Sequence, residues 1–114
     1  MKLLYTSLIS AFFLLGLGHM GFTFSKFDKI EPNALWFFSA SFGVIFCAFL
    51  NFVNLKEQTG LVRLLVISTN MLQLLFYFVL VANIHKPTII VAVVLSFLLV
   101  VVSILYRQRT ISIQ

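Results

Sequence analysis

Acidic side chains are almost missing from this chain: Asp28, Glu31 and Glu57 are the only three in 114 residues, and charged residues of both signs make up 10%. An average soluble domain carries roughly 25% charge, so too few charged groups are present to coat a surface that faces water. With 61% hydrophobic residues and a mean hydropathy of +1.11, the surplus apolar surface is expected to face lipid. Cysteine is equally scarce. Cys47 stands alone, which excludes thiol–disulfide exchange, a chemistry that needs at least one cysteine pair. The two histidines, His19 and His85, cannot by themselves close a zinc site, which takes four ligands. There is no phosphate loop, no pair of intramembrane carboxylates and no cluster of metal ligands, so no catalytic residue, metal or cofactor is expected.

The charges that are present fall at Lys2, Lys26, Asp28, Lys29, Glu31, Lys56, Glu57, Arg63, Lys86, Arg107 and Arg109. They leave the charge-free runs 3–25, 32–55, 64–85 and 87–106. At 1.5 Å rise per residue, about 20 residues cross a hydrocarbon core roughly 30 Å thick, and each run is long enough to do so once. The reading is therefore all-α: one integral membrane domain over residues 1–114, with spans at about 3–24, 34–54, 62–84 and 88–106. A secretory signal is the alternative for the first run, since Lys2 precedes it and Gly16-Leu17-Gly18 resembles a small-residue cleavage site. The run nevertheless continues through Met20, Phe22 and Phe24, past the 7–15-residue core of a signal.

Basic residues mark the cytoplasmic side of a membrane protein. With four spans both ends and the central connection share a side, which holds Lys2, Lys56, Arg63, Arg107 and Arg109 against Lys26, Lys29 and Lys86 opposite. The asymmetry predicts cytoplasmic termini. The net charge of +5 is then a topology signal and a source of contacts with anionic headgroups. No nucleic-acid partner is expected, because no basic patch interleaved with aromatics lies outside the spans.

Short connections make sequential helices antiparallel neighbours, so the expected architecture is an up-down-up-down four-helix bundle. Connections are expected at Ser25–Asn33, with Pro32 fitting the first helical turn, at Asn54–Gly60, with Thr59 capping the third helix, and at His85-Lys86-Pro87. Arg63 is expected to reach back to the headgroups. Tyr5, Trp36 and Tyr106 fall near the expected surfaces and read as depth anchors. The fourth span, rich in Val, Ile and Leu, reads as the most lipid-facing.

Polar groups inside lipid are costly unless paired, so their helical phase identifies inward faces. Span one carries Phe12, Gly16, His19 and Thr23; span two carries Ser39, Gly43, Cys47 and Asn51 at four-residue spacing. In span three Asn70, Gln73 and Tyr77 share a face with Thr69 beside them, and span four contributes Ala92, Ser96 and Ser103. Gly43, Cys47, Asn51 and Asn70 read as a helix-packing face. His19, Ser39 and Tyr77 fall at a common depth of roughly 6–9 Å by counting from the connections. Together with Gln73, and with Trp36 and Glu31 at its mouth, they form a candidate binding cavity. The alternative is that the same residues only knit the bundle together by interhelical hydrogen bonds.

Two families of similar size are excluded by residues 3–25, which contain no Asp, Glu or Arg. Small multidrug-resistance transporters depend on a carboxylate in the first helix, and small fluoride channels carry a glycine-rich stretch followed by Arg there. The segments Gly16-Leu17-Gly18-His19-Met20-Gly21-Phe22-Thr23, Asn33-Ala34-Leu35-Trp36-Phe37-Phe38 and Phe49-Leu50-Asn51, with Phe27 between the first two, resemble small four-helix bacterial membrane proteins of unassigned activity. The resemblance covers residues 16–54. It departs at Ser39, Ala40, Ser41 and Ala48, which surround a single Gly43 where members often have a glycine-rich helix. It implies a multi-pass protein of the bacterial inner membrane and no particular activity. The expected function is non-enzymatic: binding of a hydrophobic small molecule, membrane lipid or partner membrane protein. A small homo-oligomeric transporter or channel is the alternative, and an enzyme using His19 as general acid or base comes third, since no second titratable group at that depth partners it.

Overall fold

The computed structural model describes residues 1–107. Arg109, used above for orientation, lies outside the described residues. Four helices follow one another: α1 (Lys2–Lys26), α2 (Pro32–Lys56), α3 (Gly60–Asn83) and α4 (Pro87–Leu105). No described residue lies in a strand. Each helix is long and apolar enough to cross a membrane. At 1.5 Å per residue the 25 residues of α1 extend about 37 Å, and the 19 of α4 about 28 Å, bracketing the hydrocarbon thickness.

The helix ends follow from local chemistry. Pro32 and Pro87 open α2 and α4, where a missing N–H is harmless and the fixed φ favours helix. Thr59 caps α3, its Oγ1 accepting from the Val62 amide at 3.1 Å. Between the helices the chain turns extended at Phe27, Glu31, Ile84 and Lys86.

α1 packs chiefly on α2 and α3 on α4, with lighter contacts between α1 and α4 and between α2 and α3. Along the first pair the contacts run in opposite directions, Tyr5 meeting Asn51 while His19 meets Phe37. Along the second, Arg63 meets Ile104 and Asn70 meets Ser103. One end of the bundle, termed basal, therefore gathers the start of α1, the α2–α3 connection and the end of α4. The distal end carries the connections around residues 27–31 and 84–86.

Three expectations are corrected at this level. Asn54 belongs to α2 and is buried, so the α2–α3 connection is shorter than expected. Tyr5 and Tyr106 are core residues whose rings pack at 5.1 Å, whereas Trp36 is 75% exposed as a depth anchor would be. α4 is not the most exposed helix. A third (33%) of its most apolar window is buried against 22% for α3, because Val, Leu and Ala pack into a bundle as readily as they face lipid.

Candidate functional site

The strongest polar constellation lies in the basal half of the bundle and is tied to all four helices. Asn51 on α2 and Asn70 on α3 form a reciprocal amide pair, each Nδ2 donating to the other's Oδ1 at 2.8 and 2.9 Å. The remaining capacity of both amides is filled. Asn51 Oδ1 also accepts from the Tyr5 hydroxyl at 2.7 Å, and its Nδ2 donates to the Cys47 carbonyl at 2.8 Å. Asn70 Oδ1 also accepts from the Cys47 thiol at 3.1 Å, and its Nδ2 donates to Ser103 Oγ at 3.0 Å. An amide has two donors and an acceptor oxygen with two lone pairs, so neither residue has capacity left.

The network continues toward the basal surface. Asn54 Nδ2 donates to the Tyr5 oxygen at 3.0 Å, and Asn54 Oδ1 accepts from Gln58 at 3.3 Å. Gln58 Nε2 also donates to the Tyr106 carbonyl at 3.0 Å, and the Tyr106 hydroxyl returns to the Leu55 carbonyl at 3.1 Å. Arg63 donates to the Ile104 carbonyl. These contacts satisfy carbonyls at the ends of α2 and α4, which have no intrahelical partners. Arg63 is thus a cap for α4, which corrects its expected reach to the headgroups. Asn51, Asn54, Asn70 and Ser103 are fully buried. Paired in this way they escape the roughly 1–3 kcal/mol that each unsatisfied group would cost.

The distal candidates are arranged differently. His19 on α1 is half-buried; its Nε2 donates to the Phe37 carbonyl at 2.8 Å, and the imidazole stacks on the Phe37 ring at 4.1 Å. Lys26 Nζ lies 4.7 Å from the centroid of the same Phe37 ring. Tyr77 is buried against Phe12 at 6.4 Å, and half-buried Gln73 lies one turn earlier on the same face of α3. The structure thus brings Gln73 and Tyr77 together. No hydrogen bond or ring contact joins His19 to Tyr77 among the described residues. His19 lies seven residues beyond Phe12, about 10 Å along α1. Ser39 is exposed and its hydroxyl bonds the Trp36 carbonyl of its own helix at 2.8 Å.

Gly43 is corrected as a packing residue: it is exposed, and a Cβ there would meet nothing within 4 Å. The reason is helical drift. A four-residue step advances the phase about 40° beyond a full turn, so the row Ser39, Gly43, Cys47, Asn51 winds about 120° round α2. Its last two members are buried and its first two face outward. The close approach occurs instead at Gly16, where a Cβ would lie 2.7 Å from Ile45 Cγ1 and 3.2 Å from Val44 Cγ1.

Two grooves open at the ends of the bundle, of about 560 Å³ at the basal end and about 280 Å³ at the distal end. The distal groove runs between α1 and α2 over Thr23, Phe24, Phe27, Ala34 and Phe38. None of His19, Trp36, Ser39, Gln73 or Tyr77 lines either one. No three His, Cys, Asp or Glu residues gather as a metal site among the described residues.

The chain has the architecture of a multi-pass helical membrane protein. Comparison with protein-family models, with curated proteins and with solved structures finds no match.

Proposed function

We propose that this protein is non-enzymatic and works by contact at its surface, binding lipid, a hydrophobic small molecule or a partner membrane protein, rather than by passing solutes through its own bundle. The supporting observation is the saturation of the buried amides. A polar path across a bundle needs groups with hydrogen-bonding capacity to spare, and Asn51 and Asn70 use all of theirs on each other, Tyr5, Cys47 and Ser103. An acid–base role for His19 lacks support as well, since its partner is a backbone carbonyl and, among the described residues, no second titratable side chain bonds it.

We infer further that the bundle runs up-down-up-down in a bacterial inner membrane with both termini in the cytoplasm, on the strength of the basic residues at the basal end. In a Cys47→Ser background, an impermeant thiol reagent applied outside intact cells should label Lys29→Cys and spare Glu57→Cys; the reverse pattern overturns the orientation. Native mass spectrometry from mild detergent tests the binding reading, which expects a lipid, small-molecule or protein adduct on the chain. A bare chain with no adduct in any mild detergent overturns it. The oligomeric transporter remains the second reading because Ser39 and Gly43 leave part of α2 open to another helix. It requires a homo-oligomeric mass and solute flux in proteoliposomes.

A further inference from the structure

We propose that the basal groove is a headgroup site for an anionic phospholipid. The proposal rests on the contact reading above and names its ligand. The groove, about 560 Å³, is lined by Lys2 from α1, Lys56 from the end of α2 and Arg107 just after α4, over a floor of Leu55, Leu105 and Tyr106. Among the described residues no acidic side chain lines it. Lys2 and Arg107, brought to one groove from the start of α1 and the end of α4, repel one another, and a phosphate between them removes that repulsion.

Among the described residues the backbone around the groove does not compete for Lys2 and Arg107. The Leu55 carbonyl is held by the Tyr106 hydroxyl, the Tyr106 carbonyl by Gln58 and the Ile104 carbonyl by Arg63. Those three bonds use groups of the bundle itself, leaving Lys2 and Arg107, both exposed, as donors on the groove wall.

Position and polarity favour a lipid phosphate over a dissolved one. α1 and α2 are each about 37 Å long, so their basal ends pass out of a hydrocarbon core of roughly 30 Å and place Lys2 and Lys56 at headgroup depth. Beneath the cations the floor is aliphatic and aromatic, its Leu105 is itself exposed, and Leu3 and Leu4, next in the chain after Lys2, are exposed too, which suits acyl chains continuing from the headgroup. Basic pockets between helices at a membrane surface bind anionic headgroups by this combination of charge and apolar support.

The test uses the full chain, purified in mild detergent, delipidated and mixed with micelles containing phosphatidylglycerol or phosphatidylcholine. Native mass spectra should show phosphatidylglycerol retained in preference to phosphatidylcholine. The Lys2→Gln/Arg107→Gln double variant should bind it about tenfold or more weakly, given the contribution of each cation near an anionic surface. The Lys29→Gln/Lys86→Gln variant, altered at the distal end, should bind as the parent does. On the unaltered protein, phosphatidylglycerol should raise the melting temperature more than phosphatidylcholine, a readout independent of how the variants fold. Equal retention of the two lipids, equal weakening by both double variants, or equal melting temperatures overturns the proposal while leaving the contact reading in place. Displacement of phosphatidylglycerol by millimolar inorganic phosphate assigns the groove to a free anion and also overturns it. Absence of every adduct is the separate result that removes the contact reading itself.

Discussion

At the basal end four helices are joined side chain to side chain, from Tyr5 through Asn51 and Asn70 to Ser103, whereas at the distal end α1 and α2 meet through rings and one bond from His19 to a backbone carbonyl. The difference separates two tasks. Lipid tails are as apolar as leucine, so apolar contact alone distinguishes poorly between one helix register and the next. A reciprocal amide pair does distinguish, because sliding α2 against α3 by one residue leaves donors and acceptors unpaired in a dry core. The basal network therefore specifies the register, and the distal aromatics fill space within it. Phe24 on Phe38 and Phe27 on Phe37 are such contacts, with centroids 6.0 and 5.7 Å apart.

The comparison breaks if the two ends respond equally to loss of a polar group. Asn70→Leu should have the largest effect. It deprives Asn51 of both its bonds across the α2–α3 interface and Ser103 of its donor, so a loss of about 3 kcal/mol is expected. Reversible unfolding in mixed micelles measures it. His19→Ala, by contrast, removes one hydrogen bond to a carbonyl that lies within a helix, and should cost about 0.5–1.5 kcal/mol. Similar losses for the two variants would show that the basal network has no special part in holding the fold.

A second pair sharpens the picture at the middle of the α1–α2 hairpin. Gly16→Leu should destabilise by about 1–3 kcal/mol, since its first added carbon already collides with Ile45 and strains the packing around it. Gly43→Leu enters open space and should be tolerated. The thermal transitions of both variants in detergent decide the matter. A larger loss at Gly43 would place an unseen helix, such as a second copy, against that face of α2.

The sequence made the spans legible because charge is so rare that each charged residue marks an end. It made Cys47, Asn51 and Asn70 legible because an amide or thiol inside an apolar run has to find a partner. Tyr5, Asn54 and Tyr106 were obscured by the same rule. They lie close to Lys2, Lys56 and Arg107, where an amphipathic side chain at the surface and one turned into the core have the same sequence context. Ser39 and Gly43 went astray through phase, since a constant four-residue spacing follows a helix stripe for only about two steps. The buried positions of α2 instead alternate by threes and fours, as Val44, Cys47, Asn51 and Asn54 do. Gln58, apart from its bond to Asn54 one turn back, and Arg63 carried no local signal. The carbonyls they reach at the end of α4 are more than 40 positions away, and only the assembled basal end brings them together.

The smallest expected effect tests the comparison from its other side. Ser96 on α4 is buried, shares a face with Ala92 and Ser103, and yet its hydroxyl has no hydrogen-bond partner among the described residues. Seven residues along the same face, Ser103 takes a bond from Asn70 and gives one to the Val100 carbonyl. If pairing rather than polarity stabilises the bundle, the two serines should answer oppositely to the same substitution. Ser103→Ala orphans a donor of Asn70 and should cost about 1–2 kcal/mol. Ser96→Ala removes a hydroxyl that is already unpaired, leaves a side chain of nearly the same volume and improves helix propensity, so its stability should be unchanged or higher by up to about 1 kcal/mol. Unfolding of the two variants side by side in one detergent measures the difference. A loss at Ser96 equal to that at Ser103 would mean that the hydroxyl holds a bound water or lipid oxygen, and the sharp contrast between a paired basal half and an apolar remainder would have to be abandoned.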